Sequence, residues 1–469
     1  MFPLCSEVAV GSPGEAVRPL EEIREAMAGT RAENADGTPT RATCRQLLAL
    51  FATVTDPRQA GKVRYPMNEV LLVAFLAVMC DANTWADMER LGNAKLRWLR
   101  RFAPFREGVP SHDTFRYVLG LVDFSELQSL VVTFVVENLY AVRSSLGVEA
   151  PRTQLAVDGK AERGTGRRYL HSAGGEVRDV QTLHVWDTSS NVCLWSEAID
   201  EKTNEIPVAQ AWLADPANDV AGAIVSADAM HTQRETARTI RSRGADYVLG
   251  LKGNQAGLRE AAEDYFAPSY LREVRRGGEG YLRVCEKAHG QLEVRETYRC
   301  DPVAGEFAGW EGLRSLVCQV KTVTPAAKGS ESRSETRYYI SSLADVGEIA
   351  TAIRRHWICE SSHWLLDAAF RQDEDQNADR NRFENRAMLN KLCLSLARLM
   401  QAHPYYARRR TSVAGIRKMI GWETEENFGR LLEVVDRDAF EATVEGLGLT
   451  AADRRRYQKV LDEAEDDIW

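Results

Sequence analysis

Three acids stand where a strand or a helix could deliver them to one point. Asp158 closes the apolar run "LAVDGK", Asp228 closes "IVSADAM", and Glu360 lies between two His-Trp pairs in "HWICESSHWLLD". An acid at the end of a buried strand is costly unless it is paired or holds a metal. Each aspartate alone also reads as a turn residue or a helix cap. Together, three carboxylates within reach of one another would hold two Mg²⁺ ions about 4 Å apart. One ion would activate a water or a 3′-hydroxyl, and the other would stabilise the leaving oxygen of a phosphodiester. Oxygen donors suit hard Mg²⁺, with Mn²⁺ as a substitute. On a helix, His356, Glu360, His363, Trp364 and Asp367 would share one face. That leaves two rival readings: a zinc site of His356, Glu360 and His363, and an aromatic core stripe with one paired acid.

Basic stretches would supply the electrostatics. "RLGNAKLRWLRRFAPFR" has six cations and no acid, among them Arg97, Arg100 and Arg101. "ARRRTSVAGIRK" has five, including Arg408 and Arg409. Such stripes can neutralise phosphates, and a solvated helix face is the plain alternative. "GLKGN" sets Lys252 and Asn254 in a glycine turn at a strand end, where backbone amides can meet a phosphate. It lacks the spacing of a P-loop, which argues against nucleotide triphosphate binding.

The elements that must position these groups follow from periodicity. Residues 1–43 are rich in Gly, Pro, Ala, Glu and Thr and read as a disordered leader with one short helix near 20–27. Residues 44–150 carry apolar residues at helical spacing, with Ser111 as a helix cap. The period then changes. "TQLAVDG", "DVQTLHVWD", "NVCLWSEAI", "GAIVSADAM" and "DYVLGLKGN" read as strands, with a helix from 232 that ends at Gly244. Residues 151–255 therefore form the first part of a mixed sheet covered by helices. Residues 256–345 read as a β-rich insertion, 346–419 as the helical completion of the domain begun at 151–255, and 420–469 as an acidic helical tail.

Composition bounds the function. The chain has 469 residues, 44% hydrophobic and 27% charged, which predicts two or three structural units of a globular protein. "VLLVAFLAVMC" is too short to span a bilayer and reads as a buried helix, and Glu7, Gly11 and Pro13 interrupt any signal-peptide core. Nine cysteines without a C-x-x-C pair give neither a zinc ribbon nor a disulfide framework and suit a reducing compartment. The formal charge of −8 leaves room for a local basic face.

Several motifs, in order, resemble one family. "VDGKAERG", "DEKTNEIP", "VSADAMHTQRETARTI", "DYVLGLKGNQ", "HGQLEVRE" and "RRHWICESSHWLLD" are similar to segments of the H-repeat-associated insertion-sequence transposases. These belong to the DDE transposase superfamily, with a ribonuclease-H-like core. "LLALFATVTDPRQAGKVRYPMNEVLLVAFLAVM" and "GVPSHDTFRYVL" resemble the domain preceding the catalytic one. The likeness covers about residues 45–400. It implies Asp158, Asp228 and Glu360 as the catalytic, metal-binding acids of a Mg²⁺-dependent enzyme that cleaves transposon ends and joins a 3′-hydroxyl to target DNA. It also implies double-stranded DNA as partner, a homodimer for synapsis, no membrane, and a bacterial, cytoplasmic, nucleoid-associated protein. Lys160, Arg163, Lys252 and Asn254 are candidate phosphate contacts, with His289 a further candidate in the insertion. The alternative is a domesticated descendant that binds DNA, or a nuclease that no longer transposes. One departure stands out. Ser361 replaces the family's asparagine, and the second His-Trp comes one residue early. On a regular helix that turns His363, Trp364 and Asp367 by about 100°.

Overall fold

The computed structural model describes residues 40–165, 179–199, 203–288, 291–302, 305, 307–325, 331–377 and 379–462. All but the last four residues of the expected leader lie outside this set, as do its short helix and His289.

Five helices come first: α1 (Thr40–Thr53), α2 (Met67–Met79), α3 (Trp85–Leu99), α4 (His112–Leu119) and α5 (Phe124–Leu146). Then follow β1 (Gln154–Glu162), β2 (Val180–Asp187), β3 (Val192–Ile199), α6 (Glu205–Ala214), β4 (Ile224–Ala227), α7 (Arg234–Ser242) and β5 (Asp246–Leu251). Helices α8 (Ala256–Tyr265) and α9 (Pro268–Gly277) lead into β6 (Tyr281–Ala288), β7 (Gln291–Cys300), β8 (Ser315–Pro325) and β9 (Arg333–Ser341). Helix α10 (Val346–Ala368), α11 (Arg380–Gln401) and five shorter helices ending at Asp462 complete the described chain.

These elements fall into two compact units. Met1–Pro151, Lys160–Ala198 and Glu360–Trp469 make the first; Arg152–Gly159 and Ile199–Cys359 make the second. Strand β1 and helix α10 each run from one unit into the other.

The first unit is mainly helical and contains β2 and nearly all of β3. Helix α2 is apolar on every side, so no face of it suits water. From Val70 to Met79 no residue is more than 1% exposed, as the sequence predicts. No single described helix is long and apolar enough to cross a membrane. Helix α4 starts at Ser111, whose hydroxyl accepts the Thr114 amide. Its far end leaves carbonyls that no helical turn can satisfy. Asn385 of α11 donates to Leu119 and Val122 at 2.9 and 2.8 Å, and Asn381 donates to Gly120 at 2.9 Å.

In the second unit the strand order is β1-β4-β5-β9-β8-β7-β6. Strands β1, β4 and β5 are parallel, and β5 to β9 to β8 to β7 to β6 is antiparallel throughout. Strand β4 has only four residues, all buried, as suits a parallel strand covered on both faces. Ile224, Val248 and Val317 pack with Ile349, Ala352 and Ile353 of α10. The fold class is the expected α/β one, a mixed sheet with flanking helices. The segment after residue 255 is β-rich, as expected, with β6 to β9, and carries two helices besides. It opens on α8 and α9, and β9 pairs directly with β5, Val248 against Ser341, so its strands extend the sheet. Pro268 sits in the first turn of α9, where a missing N–H costs nothing.

Candidate active site

In the second unit, strand register does the positioning. Val157 of β1 stands opposite Ala227 of β4 on parallel strands. Asp158 and Asp228 are the next residues along each, beyond the last paired position. Asp228 follows the end of β4, whereas β1 runs on to Glu162, so Asp158 does not close its strand, as the sequence predicts it to. Both are half-buried. Asp228 accepts the Met230 amide at 2.9 Å and so caps the short turn Ala229–His231. Its other oxygen lies 3.9 Å from the Lys252 ammonium, whose side chain is 70% exposed. The cap therefore leaves part of the carboxylate facing outward. Asn254 also reaches this turn, donating to the Ala229 carbonyl at 2.7 Å. The Cys359 thiol of α10 lies 3.9 Å from Asp158 Oδ2. One turn earlier, His356 Nδ1 lies 3.1 Å from the Ser226 hydroxyl, and burial, against the pull of Asp228, pushes its imidazole down to about 4. That ring is neutral at pH 7.

Glu205 was not singled out by residue type, although it sits in the quoted stretch "DEKTNEIP". A Cβ on Gly159 would come within 2.3 Å of the Glu205 carboxylate. Successive strand residues face opposite ways, so Glu205 braces β1 from behind Asp158. Its Oε2 is 3.6 Å from Nε2 of His231, which is 1% exposed. A brace of this kind, behind β1, escapes a search for groups that do chemistry.

In the first unit, α10 continues as a regular helix through Glu360 to Ala368, without a bulge to absorb the missing residue. Glu360 and Trp364 are exposed, His363 is buried, and Asp367 is half-buried. The single face expected for these residues is therefore split. His363 Nε2 accepts the Trp186 indole N–H at 3.3 Å, so His184 Nδ1, 2.8 Å away, is the donor to the same nitrogen. Burial holds His184 well below its ordinary value. His356 and His363 each have partners within their own unit, which disfavours the zinc reading. The tryptophans, expected as packing groups, also divide. Trp357 lies under the Arg337 guanidinium at 4.1 Å, whereas Trp364 is 44% exposed.

Lys160 does not face solvent. It is 6% exposed, and its ammonium lies 2.6 Å from Glu162, 2.8 Å from Asp367 and 3.4 Å from Asp373. The three carboxylates have oxygens within 4.8 Å of one another, a spacing that suits a divalent ion, and the ammonium serves in that role. Burial pulls Lys160 down, but Glu162 and Asp367 outweigh it and its pKa is raised. Burial pushes Asp367 up, with Lys160 opposing. Gln372 adds hydrogen bonds to Glu162 at 3.0 and 3.2 Å. The sequence expectation of a phosphate contact at Lys160 is corrected accordingly, since two of its three partners, Asp367 and Asp373, arrive from more than two hundred residues away. Arg163, next to this cluster, is exposed.

Gly164 closes the same corner. A Cβ there would come within 2.5 Å of the carbonyl oxygens of both Asp373 and Asp375. Backbone cannot rotate aside as a side chain can. Gly164→Ala is expected to cost about 1–3 kcal/mol, the usual range for overpacking. An unchanged urea midpoint would contradict that.

The basic stretches are largely exposed. Arg97, Arg100 and Arg101 face solvent, Arg101 pairing with Glu425 at 3.4 Å. Arg408 and Arg409 are exposed, Arg409 resting on the Tyr405 ring at 3.9 Å. Arg417, counted in the second stripe, is instead 2% exposed and donates to the Val78 carbonyl at 2.6 Å.

Comparison with known proteins names the family. Residues 149–396 match the model of the transposase DDE domain, and residues 48–135 match the domain associated with it. The chain is 29% identical over 337 residues to "H repeat-associated putative transposase YhhI" of Escherichia coli K12, covering 70% of this chain and 84% of that one. It is 31% identical over 270 residues to "Uncharacterized protein in dhlA 3'region" of Xanthobacter autotrophicus, covering 57% and 85%. A 76-residue match at 33% identity, 16% of this chain and 90% of the other, is to "Inactive transposase YbfQ" of Escherichia coli K12. Among solved structures, a piggyBac transposase synaptic complex with hairpin DNA aligns at 11% identity and a TM-score of 0.35, over 89% of this chain and 83% of that one. The domain match spans more than half of the 469 residues, and the chain belongs to the DDE transposase family.

Proposed function

We propose that the protein is a metal-dependent DNA transposase that cleaves transposon ends and transfers the strand, with Asp158, Asp228 and Glu360 as its acids. The observation that supports this reading is the parallel pairing of Val157 with Ala227, the residues that immediately precede Asp158 and Asp228. Glu360 is exposed and follows Cys359 on α10, whose thiol adjoins Asp158. All-oxygen carboxylate donors fit a hard divalent ion such as Mg²⁺, with Mn²⁺ a substitute. Such an ion, when bound, supplies Lewis-acid stabilisation to a phosphoryl group.

The chain's own residues would do the rest. Lys252 stands beside Asp228 with its side chain in solvent, suited to a backbone phosphate. Exposed Arg97, Arg100, Arg101, Arg163, Arg408 and Arg409 would hold duplex DNA by sequence-independent contacts, which salt weakens. Two transposon ends brought together call for two copies of the chain. The test is cleavage of a duplex carrying the cognate ends. Cutting is expected with Mg²⁺ or Mn²⁺ and is expected to stop on chelation. Tight binding with no cutting by the wild type would instead favour a DNA-binding descendant.

A further inference from the structure

Within the second unit, three side chains hold the turn that Asp228 caps to β5 and the segment after it. Thr232 donates to the Gly250 carbonyl at 2.6 Å, Asn254 to the Ala229 carbonyl at 2.7 Å, and Gln255 to the Thr232 carbonyl at 2.8 Å. His231, the last residue of that turn, meets a different group: its Nε2 lies 3.6 Å from Glu205 Oε2. The His231 side chain is 2% exposed and the Glu205 side chain 15%. Neither ring nitrogen of His231 has a hydrogen-bond partner among the described residues. Buried polar groups are normally paired, and the Glu205 carboxylate stands just beyond hydrogen-bond reach of this one.

Glu205 is itself held in place. It stands in the first turn of α6, where Asn204 caps the helix by accepting the Ile206 amide at 3.0 Å and the helix dipole favours an acid. Cδ and both oxygens of its carboxylate lie 2.3 Å from where a Cβ on Gly159 would be. Only a glycine permits so close an approach to the backbone. Gly159 lies within β1 and has no left-handed φ, so its conformation does not call for glycine, whereas room for Glu205 does. One carboxylate therefore bears on the residue after Asp158 and faces the residue that ends the turn capped by Asp228.

We infer that Glu205 and His231 are a positioning pair, which sets Asp158 and Asp228 relative to each other for the divalent ion that they would share. An imidazole N–H offered to the carboxylate ties the Asp228 turn to β1, as Thr232 and Asn254 tie it to the β5 side. Both side chains are largely buried, so they act through the aspartates and not on DNA. The inference rests on the reading of Asp158 and Asp228 as metal ligands.

Calorimetric titration of Mn²⁺ into the full chain, without DNA, tests the pair. The wild type is expected to bind, and Asp228→Asn to lose that binding. Glu205→Leu fills much of the same space without an acceptor. It is expected to weaken Mn²⁺ binding about tenfold or more, the usual cost of losing a group that orients metal ligands. Glu205→Gln keeps a carbonyl oxygen for the His231 N–H and is expected to recover most of the affinity. His231→Phe keeps a ring without its nitrogens and is expected to match Glu205→Leu. The double variant is expected to lose no more than either single one, because the two side chains make one contact. Thermal melting checks that each variant is folded, and His231→Phe carries the test alone where Glu205→Leu is not. Wild-type affinity in the folded variants, no recovery in Glu205→Gln, or losses that add in the double variant would each overturn the pair and leave the acids in place. A wild type that binds no Mn²⁺ would instead overturn the metal-dependent reading, and the pair with it.

Discussion

Asp228→Asn is expected to abolish strand cleavage while leaving the protein folded and bound to DNA. The substitution is unusually clean here. Asp228 does two things: one oxygen caps the turn Ala229–His231 by accepting the Met230 amide, and the rest of the carboxylate stands beside Lys252. Asparagine retains the first role, because its carbonyl oxygen caps as well as aspartate does. It loses the second, because a neutral amide is a poor partner for a divalent cation. Divalent-ion catalysis supplies several kcal/mol of charge stabilisation, and each 1.4 kcal/mol or so is tenfold in rate. A loss on the order of a thousandfold or more is therefore expected, with the thermal midpoint moved little. Asp158→Asn is expected to match it, since Asp158 follows Val157, whose partner Ala227 precedes Asp228. Cleavage by Asp228→Asn within about tenfold of wild type would remove the proposed role of that acid.

What the sequence revealed and what it hid divide along the range of the interactions. The apolar runs before the acids were legible because burial writes its own pattern: Leu155, Ala156 and Val157 before Asp158, and Ile224 and Val225 shortly before Asp228, are all buried, although β1 runs on past Asp158 to Glu162. The cap at Ser111 and the helix stop at Gly244, whose φ is +74°, were legible because caps and left-handed residues act within a few positions. That β1 and β4 are neighbours was not legible from spacing alone. A dozen apolar strand residues do not say which strand they pair with, and the family motifs, not the periodicity, set the two aspartates together. Helices α8 and α9 were absorbed into a β-rich segment because charged, amphipathic stretches beside Gly and Pro give a weak periodic signal. The reading of Lys160 failed for a different reason. Lysines are almost never fully buried unless paired, and its partners Asp367 and Asp373 come from another part of the chain.

That buried lysine gives the second large effect. Lys160→Met is expected to destabilise the first unit by about 3–5 kcal/mol, the cost of leaving charges buried without their partner. Methionine keeps most of the stem's volume, so lost packing contributes little and the charge is what is tested. In the wild type one ammonium faces Glu162, Asp367 and Asp373. Without it, Glu162, 1% exposed, keeps only the Gln372 amide among the contacts described above. The sign with pH follows from burial. Desolvation raises the pKa values of Glu162 and Asp367 above their ordinary ones even with Lys160 present. A carboxyl whose folded pKa exceeds its unfolded one binds protons more readily in the folded state. Its stabilising contribution is full below the unfolded pKa and is lost as pH rises through the folded pKa. Removing the ammonium raises both groups further, so the variant's deficit is expected to be largest near neutrality and to shrink toward about pH 5 as the acids protonate. Urea unfolding of both proteins at the two pH values measures this directly. A deficit equal at both would mean that the stem's packing, not its charge, holds this corner together; a deficit below about 1 kcal/mol throughout would mean that the cluster is hydrated like a surface ion pair.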